Sequence, residues 1–166
     1  MAVRRLGLIG HSGAGKTACL DALGINRQAA DMDEALGLKL SQSEDEAVRA
    51  LDRALKWLES RDTPKVVTVR NDEKMLYEMA KAKLSRPHSF RRFALVYLQN
   101  PKPQLELHLT ARPEEAAKYT VANYDRFHSD LYSRLADRTI KCSDKTIETI
   151  VGEVNDLASQ LIKENV

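Results

Sequence analysis

Between Gly10 and Thr17 the chain reads GHSGAGKT, which fits the spacing G-x-x-x-x-G-K-[ST] with no mismatch. Four of the seven glycines in the chain fall between positions 7 and 15, so this stretch is built for backbone freedom. The chemistry explains each residue type. Glycines at 10, 13 and 15 let successive N–H groups turn inward towards phosphate oxygens. The spacing predicts a helix beginning near Lys16, which adds the positive end of its dipole. Lys16 reaches the β and γ phosphates, and the Thr17 hydroxyl is of a type that ligates Mg²⁺. The expected nucleotide-binding set is Gly10, His11, Ser12, Gly13, Ala14, Gly15, Lys16, Thr17 and Ala18. The motif implies a nucleoside triphosphate, with ATP and Mg²⁺ as the expected pair, and leaves open what is done with it.

The next acids, Asp31 and Asp33 in AADMDEALG, fall where a second strand of such a sheet would end, at its ligand-facing edge. An acid there can hold the water shell of a magnesium ion or accept a hydroxyl proton. Asp72, just past a later strand, could serve as a displaced magnesium-holding acid. His128 could be a ligand or acid–base group, and Trp57 and Tyr77 read as packing residues.

The elements that must position these groups alternate in type. VRRLGLIG reads as a buried strand, and KTACLDALG as a helix stopped by Gly24. QAADMDEAL is a brief extended piece entering an acidic turn. The stretch 41–62 is the strongest helix signal, with Ser43 as cap, Glu46 three residues on, and an apolar stripe of Val48, Leu51, Leu55 and Leu58. KVVTVRN reads as a strand, DEKMLYEMAKAKLSR as a helix stopped by Pro87, and RFALVYLQN as a strand. Helix is expected over 104–111 and 120–138, a strand in TIKCSD, and a closing helix over 145–164 with Ile147, Ile150, Val151, Val154, Leu157 and Leu161 on one side. Such alternation predicts an α/β fold, with a parallel sheet covered on both faces. One domain is expected to hold residues 1–166.

Composition is that of an ordinary globular protein, and a net charge of +2 from 26 basic and 24 acidic residues gives no support to a nucleic-acid or membrane-surface role. The runs VRR and SFRRF are expected to be solvated strand flanks. Cys19 and Cys142 match no metal or redox spacing, so both are expected to be small apolar residues in a reducing compartment. No signal segment is recognised at the start and no apolar run reaches membrane-spanning length, which leads to the expectation of a cytoplasmic protein.

GHSGAGKT followed by AADMDE resembles shikimate kinase, in which a phosphate-binding loop is followed by a D-x-D pair. The resemblance continues through Val48, Arg49, Ala50, Leu51 and Asp52, similar to the family's F-R-x-x-E. It extends to FALVYLQNP, to Arg112–Pro113 at a lid expected about 110–125, and to DLYSRLADRTIKCSD, similar to P-L-Y-x-x-x-A-D and the strand and loop over adenine. It implies a five-stranded parallel sheet of order 2-3-1-4-5. It also implies roles: Asp31 supports the magnesium shell with Thr17, and Asp33 binds or deprotonates the acceptor hydroxyl. Arg49 pairs with an acidic group on the acceptor and is held by Asp52. Arg112 closes over the phosphates, and Ser143 lies near adenine. Two departures concern the acceptor. The family's run of three glycines after its third strand is absent from VVTVRNDEK, where Val69, Arg70 and Asn71 would fill the space. The family's arginine four residues before its tyrosine is His128 here, leaving Arg126 as the nearby cation for the acceptor.

The expected function is ATP-dependent phosphoryl transfer to a hydroxyl of a small metabolite other than shikimate, carried by Lys16, Asp33 and Arg112. The alternatives are an ATP-binding sensor that has lost catalysis, and a nucleoside or nucleotide kinase, against which the 5% aromatic content weighs. The expected partners are a small-molecule acceptor, no nucleic acid and no membrane, in a monomer or weak homodimer.

Overall fold

The computed structural model describes residues 3–10, 16–24, 29–39, 41–60, 63–69, 73–101 and 131–162. β1 (Arg5–Ile9) is buried along its whole length and forms the centre of a sheet. It pairs in parallel with β3 (Val66–Thr68) on one side and β4 (Phe93–Gln99) on the other. β2 (Ala29–Asp31) extends the sheet beyond β3, and β5 (Arg138–Lys141) beyond β4. The order is β2-β3-β1-β4-β5, the order expected from the resemblance.

Parallel neighbours need crossovers, and the helices supply them. α1 (Lys16–Gly24) joins β1 to β2. α2 (Met32–Leu36) and α3 (Glu44–Glu59) join β2 to β3. α4 (Glu73–Ser85) and a 3₁₀ turn over Pro87–Phe90 lead into β4, while α5 (Leu131–Leu135) precedes β5 and α6 (Ile147–Leu161) follows it. No helix among the described residues is long and apolar enough to cross a membrane. The helices expected over 104–111 and 120–130 and the lid at 110–125 lie outside the described residues.

Side chains alternate across a strand, and this sorts the core into two layers. Ile9, Val67, Leu95 and Tyr97 face a cluster with Leu51, Leu55 and Leu58 of α3, Leu76 and Met79 of α4, and Tyr132 of α5. Leu6, Leu8, Val66, Ala94 and Val96 face the opposite cluster with Cys19 of α1, Cys142, and Ile150 and Val154 of α6. Both cysteines are buried thiols outside any disulfide, in the small-apolar role expected of them. Trp57 packs half-buried against the first layer and Tyr77 is largely exposed.

The start of α3 is fixed as its sequence predicts. Ser43 Oγ accepts from the Glu46 N–H at 3.2 Å, and the Glu46 carboxylate reaches back to the Gln42 N–H at 2.6 Å. Two expectations need correction. Val48 is 42% exposed, because the buried stripe runs through Ala47, Ala50, Leu51, Ala54, Leu55 and Leu58, and the small alanines let α3 lie close to its neighbours. Arg5 is not a solvated flank but a β1 residue only 3% exposed, whose Nη2 donates to the carbonyls of Ser60 at 2.5 Å and Thr63 at 3.3 Å. Its Nε and Nη1 have no partner among the described residues. Burial, and then the neighbouring Arg4, pull its pKa below the usual guanidinium range.

Candidate active site

β1 ends at Ile9 and delivers the chain to Gly10, which is buried and has φ of 155°, a backbone conformation that side chains rarely adopt. Lys16 opens α1 and folds back across the loop. Its ammonium donates to the Gly10 carbonyl at 2.7 Å and to the Val69 carbonyl at 3.4 Å. One cation thus spans the carboxyl ends of β1 and β3, the edge at which open parallel sheets bind ligands. Ala18, half-buried, is the third residue of the same helix. His11, Ser12, Gly13, Ala14 and Gly15 lie outside the described residues. Thr17 is the second residue of α1, and its side chain also lies outside them.

Asp31 is the last residue of β2 and the N-cap of α2. Its Oδ1 accepts from the Glu34 N–H at 3.1 Å and its Oδ2 from the Thr68 hydroxyl at 2.8 Å. Thr68 ends β3 and is 4% exposed, so the carboxylate is tethered to the sheet and to the helix at once. Asp33, half-buried, belongs to α2 rather than to an open turn, and its carbonyl accepts from the N–H groups of Gly37 and Leu38. Sequence reasoning missed Thr68 and the Val69 carbonyl. A lone hydroxyl in the apolar run VVTV, at the carboxyl end of a strand, was the available signal for the first.

The acceptor half is assembled differently from expectation. Arg49 is exposed on α3 and lines a cavity of about 760 Å³ with Lys39, Gln42, Glu46 and Arg53. Asp33 does not line it. Arg53 donates to the Leu36 carbonyl and so closes the end of α2. The Asp52 carboxylate makes no ion pair with Arg49 and instead faces Arg86 of α4 at 3.8 Å. That replaces the Arg49–Asp52 pairing, since Asp52 lies towards α4 and Arg49 towards the α2–α3 loop. Nor does the Val69 side chain fill an acceptor space: it is 1% exposed within the first core layer, and only its carbonyl meets the site. Ser143 is exposed beside Asp144, whose φ of 58° makes the tight turn after β5. Arg70, Asn71, Asp72, Arg112, Arg126 and His128 lie outside the described residues.

Among the described residues no group of three His, Cys, Asp or Glu could form a metal cage. A nucleotide-borne magnesium ion needs no such cage, only one or two hard oxygen donors beside the phosphates, which is what the carboxylate of Asp31 and the residue type of Thr17 offer.

A glycine loop between β1 and α1, on a parallel sheet of order 2-3-1-4-5, makes this the shikimate kinase-like P-loop kinase fold. Among solved structures, the chain is similar to shikimate kinase from Acinetobacter baumannii in complex with shikimate, at 18% identity and a TM-score of 0.61 over 97% of this chain and 96% of that one. It is similar to the Mycobacterium tuberculosis APS kinase in complex with AMPPNP and APS, at 16% identity and a TM-score of 0.61 over 95% and 98%. A gluconokinase from Sinorhizobium meliloti aligns at 17% identity with a TM-score of 0.60 over 96% and 93%. No family model and no curated protein matches the chain.

Proposed function

We propose that the protein is an ATP-dependent kinase that transfers a phosphoryl group to a hydroxyl of a small metabolite. The observation that carries this reading is the ammonium of Lys16, held at the carboxyl end of β1 against the Gly10 carbonyl, on the edge where Asp31 ends β2. The fold neighbours that bind shikimate or APS support the class of acceptor, a small anionic molecule with a hydroxyl. In this reading Lys16 and Arg112 stabilise charge on the transferred group. Asp33 orients the acceptor hydroxyl, and Arg49 and Arg126 meet its anionic end. Thr17 and Asp31 hold the magnesium ion, which would neutralise phosphate charge when bound. Gly10 to Ala18 bind the phosphates and Ser143 lies near adenine. Shikimate is not the acceptor in this reading, because the backbone after β3 lacks the glycine run that lets an acceptor approach.

The experiment is an ATP-consumption screen over hydroxy acids, polyols and nucleosides, with Lys16→Ala as control. ATP with Mg²⁺ should also raise the melting temperature of the wild type by mass action, and Lys16→Ala should remove most of that rise. An unchanged melting curve in millimolar ATP defeats the assignment. A second reading, a nucleotide-binding module without transfer, draws on the exposed position of Arg49 in a cavity that Asp33 does not line. Stabilisation by ATP with no turnover on any acceptor supports it.

A further inference from the structure

Thr68 sits in register opposite both Leu8 of β1 and Asp31 of β2, one strand in from the edge of the sheet. Its neighbours Val66, Val67 and Val69 are buried and apolar, and Thr68 itself is only 4% exposed. A hydroxyl in such a place must find a partner, and this one donates to Asp31 Oδ2 at 2.8 Å. The other carboxylate oxygen is taken by the Glu34 N–H at 3.1 Å. Among the described residues there is one donor per oxygen, from a strand on one side and a helix on the other, which leaves the carboxylate little freedom to rotate. Each oxygen still has lone-pair capacity for a further donor such as a metal-bound water.

We infer that Thr68 is a positioning residue for magnesium: its hydroxyl holds the Asp31 carboxylate in the orientation that receives the hydrated ion of a bound nucleotide. The inference rests on the kinase reading above and extends it to a residue with no phosphate or acceptor contact of its own. Stability alone does not call for the hydroxyl. Valine has the same shape, suits a buried strand, and would leave the Asp31 cap on α2 in place. What valine would remove is the second tether on the carboxylate. Outer partners of this kind commonly govern metal affinity through the ligand that they hold.

The test uses the full chain with Mn²⁺ as the probe, titrated by electron paramagnetic resonance in the presence of a non-hydrolysable ATP analogue. Thr68→Val should weaken Mn²⁺ binding about tenfold or more, with binding of the metal-free analogue left within about twofold of wild type. Thr68→Ser, which keeps the hydroxyl, should restore most of the loss. Thr68→Ala should behave as Thr68→Val, which provides a second variant if valine disturbs the fold. In an Asp31→Asn background, Thr68→Val should add no further loss. Wild-type Mn²⁺ affinity in Thr68→Val, or equal weakening in the valine and serine variants, overturns the inference and leaves the kinase reading intact. Absence of any metal-dependent analogue binding in the wild type overturns both.

Discussion

The carboxylate of Asp137, the acid of the ADR segment before β5, makes a sharp test of what that segment does. Its backbone N–H donates to the Leu95 carbonyl at 2.7 Å, and its Oδ2 accepts from the Leu95 N–H at 2.8 Å. Both backbone groups of Leu95 are therefore served by one residue, one step before the β4–β5 ladder begins at Val96 and Arg138. The other oxygen, Oδ1, accepts from the Lys83 ammonium at 2.9 Å, and that ammonium also donates to the Leu135 carbonyl at 2.5 Å. Asp137→Ala leaves a fully buried N–H without a partner, which costs about 1–3 kcal/mol. It also removes a partly exposed ion pair worth about 0–1 kcal/mol. A total near 2–3 kcal/mol corresponds to a fall in melting temperature of about 5–10 °C for a chain of this length. Lys83→Met should cost only about 1 kcal/mol, because the Leu95 N–H keeps its acceptor. Asp137→Asn should cost about as little as Lys83→Met, since an amide oxygen can replace Oδ2 while its NH2 loses the Lys83 ion pair. Thermal unfolding by circular dichroism at neutral pH reads all three. If Asp137→Ala loses no more than Lys83→Met, the bracket on Leu95 contributes nothing beyond the ion pair and the reasoning fails.

Gly37 ends α2 with φ of 63°, and a Cβ there would meet nothing within 4 Å, so Gly37→Ala should cost only the backbone penalty of about 1 kcal/mol, and Gly37→Asn less. Burial pushes the thiols of Cys19 and Cys142 up to about 11 from an ordinary value of 9.0, with Cys19 adding to the effect on Cys142. The folded state then holds more protons than the unfolded one between pH 9.0 and about 11, so stability should fall as pH rises through that window. Urea midpoints at the two ends of the window should show a smaller fall for Cys142→Ala than for wild type. Arg49→Ala should leave stability within about 0.5 kcal/mol, as the guanidinium is exposed and makes no ion pair among the described residues, and should raise the KM for an anionic acceptor in a turnover assay.

Much of this architecture was legible in the sequence because its signals are local. Glycine spacing marks the loop between β1 and α1. Apolar runs mark the inner strands, and Ser43 with Glu46 marks the start of α3. Local pattern does not carry the partners that folding brings from afar. Asp31 reads as an acid after a strand, but its tether to Thr68, 37 residues on, exists only once β2 and β3 pair. Arg5 reads as a charged flank, yet the carbonyls of Ser60 and Thr63 come to it from the end of α3 and let it lie inside. Val48 reads as core because it is apolar at helical spacing from Leu51 and Leu55. The alanines decide otherwise, since α3 turns its smallest residues inward. In the candidate site, the position of Asp33 and Arg49 on elements beside the sheet's carboxyl edge was readable. The lining of the Arg49 cavity, which excludes Asp33, was not, because it depends on how the α2–α3 loop closes.

To serve as the phosphate-binding cation of the proposed kinase, Lys16 would have to change partners. Its ammonium donates to the Gly10 carbonyl just past β1 and to the Val69 carbonyl just past β3. In the proposed kinase, nucleotide binding would be an exchange rather than an addition: an ammonium that turned to phosphate would give up the Val69 carbonyl, and the carboxyl end of β3 would lose that tie. The sequence there, Val69, Arg70 and Asn71, is the stretch that the resemblance aligns with the family's acceptor-side glycine run. A kinase wired in this way would bind nucleotide only by loosening a tie between its two inner strands.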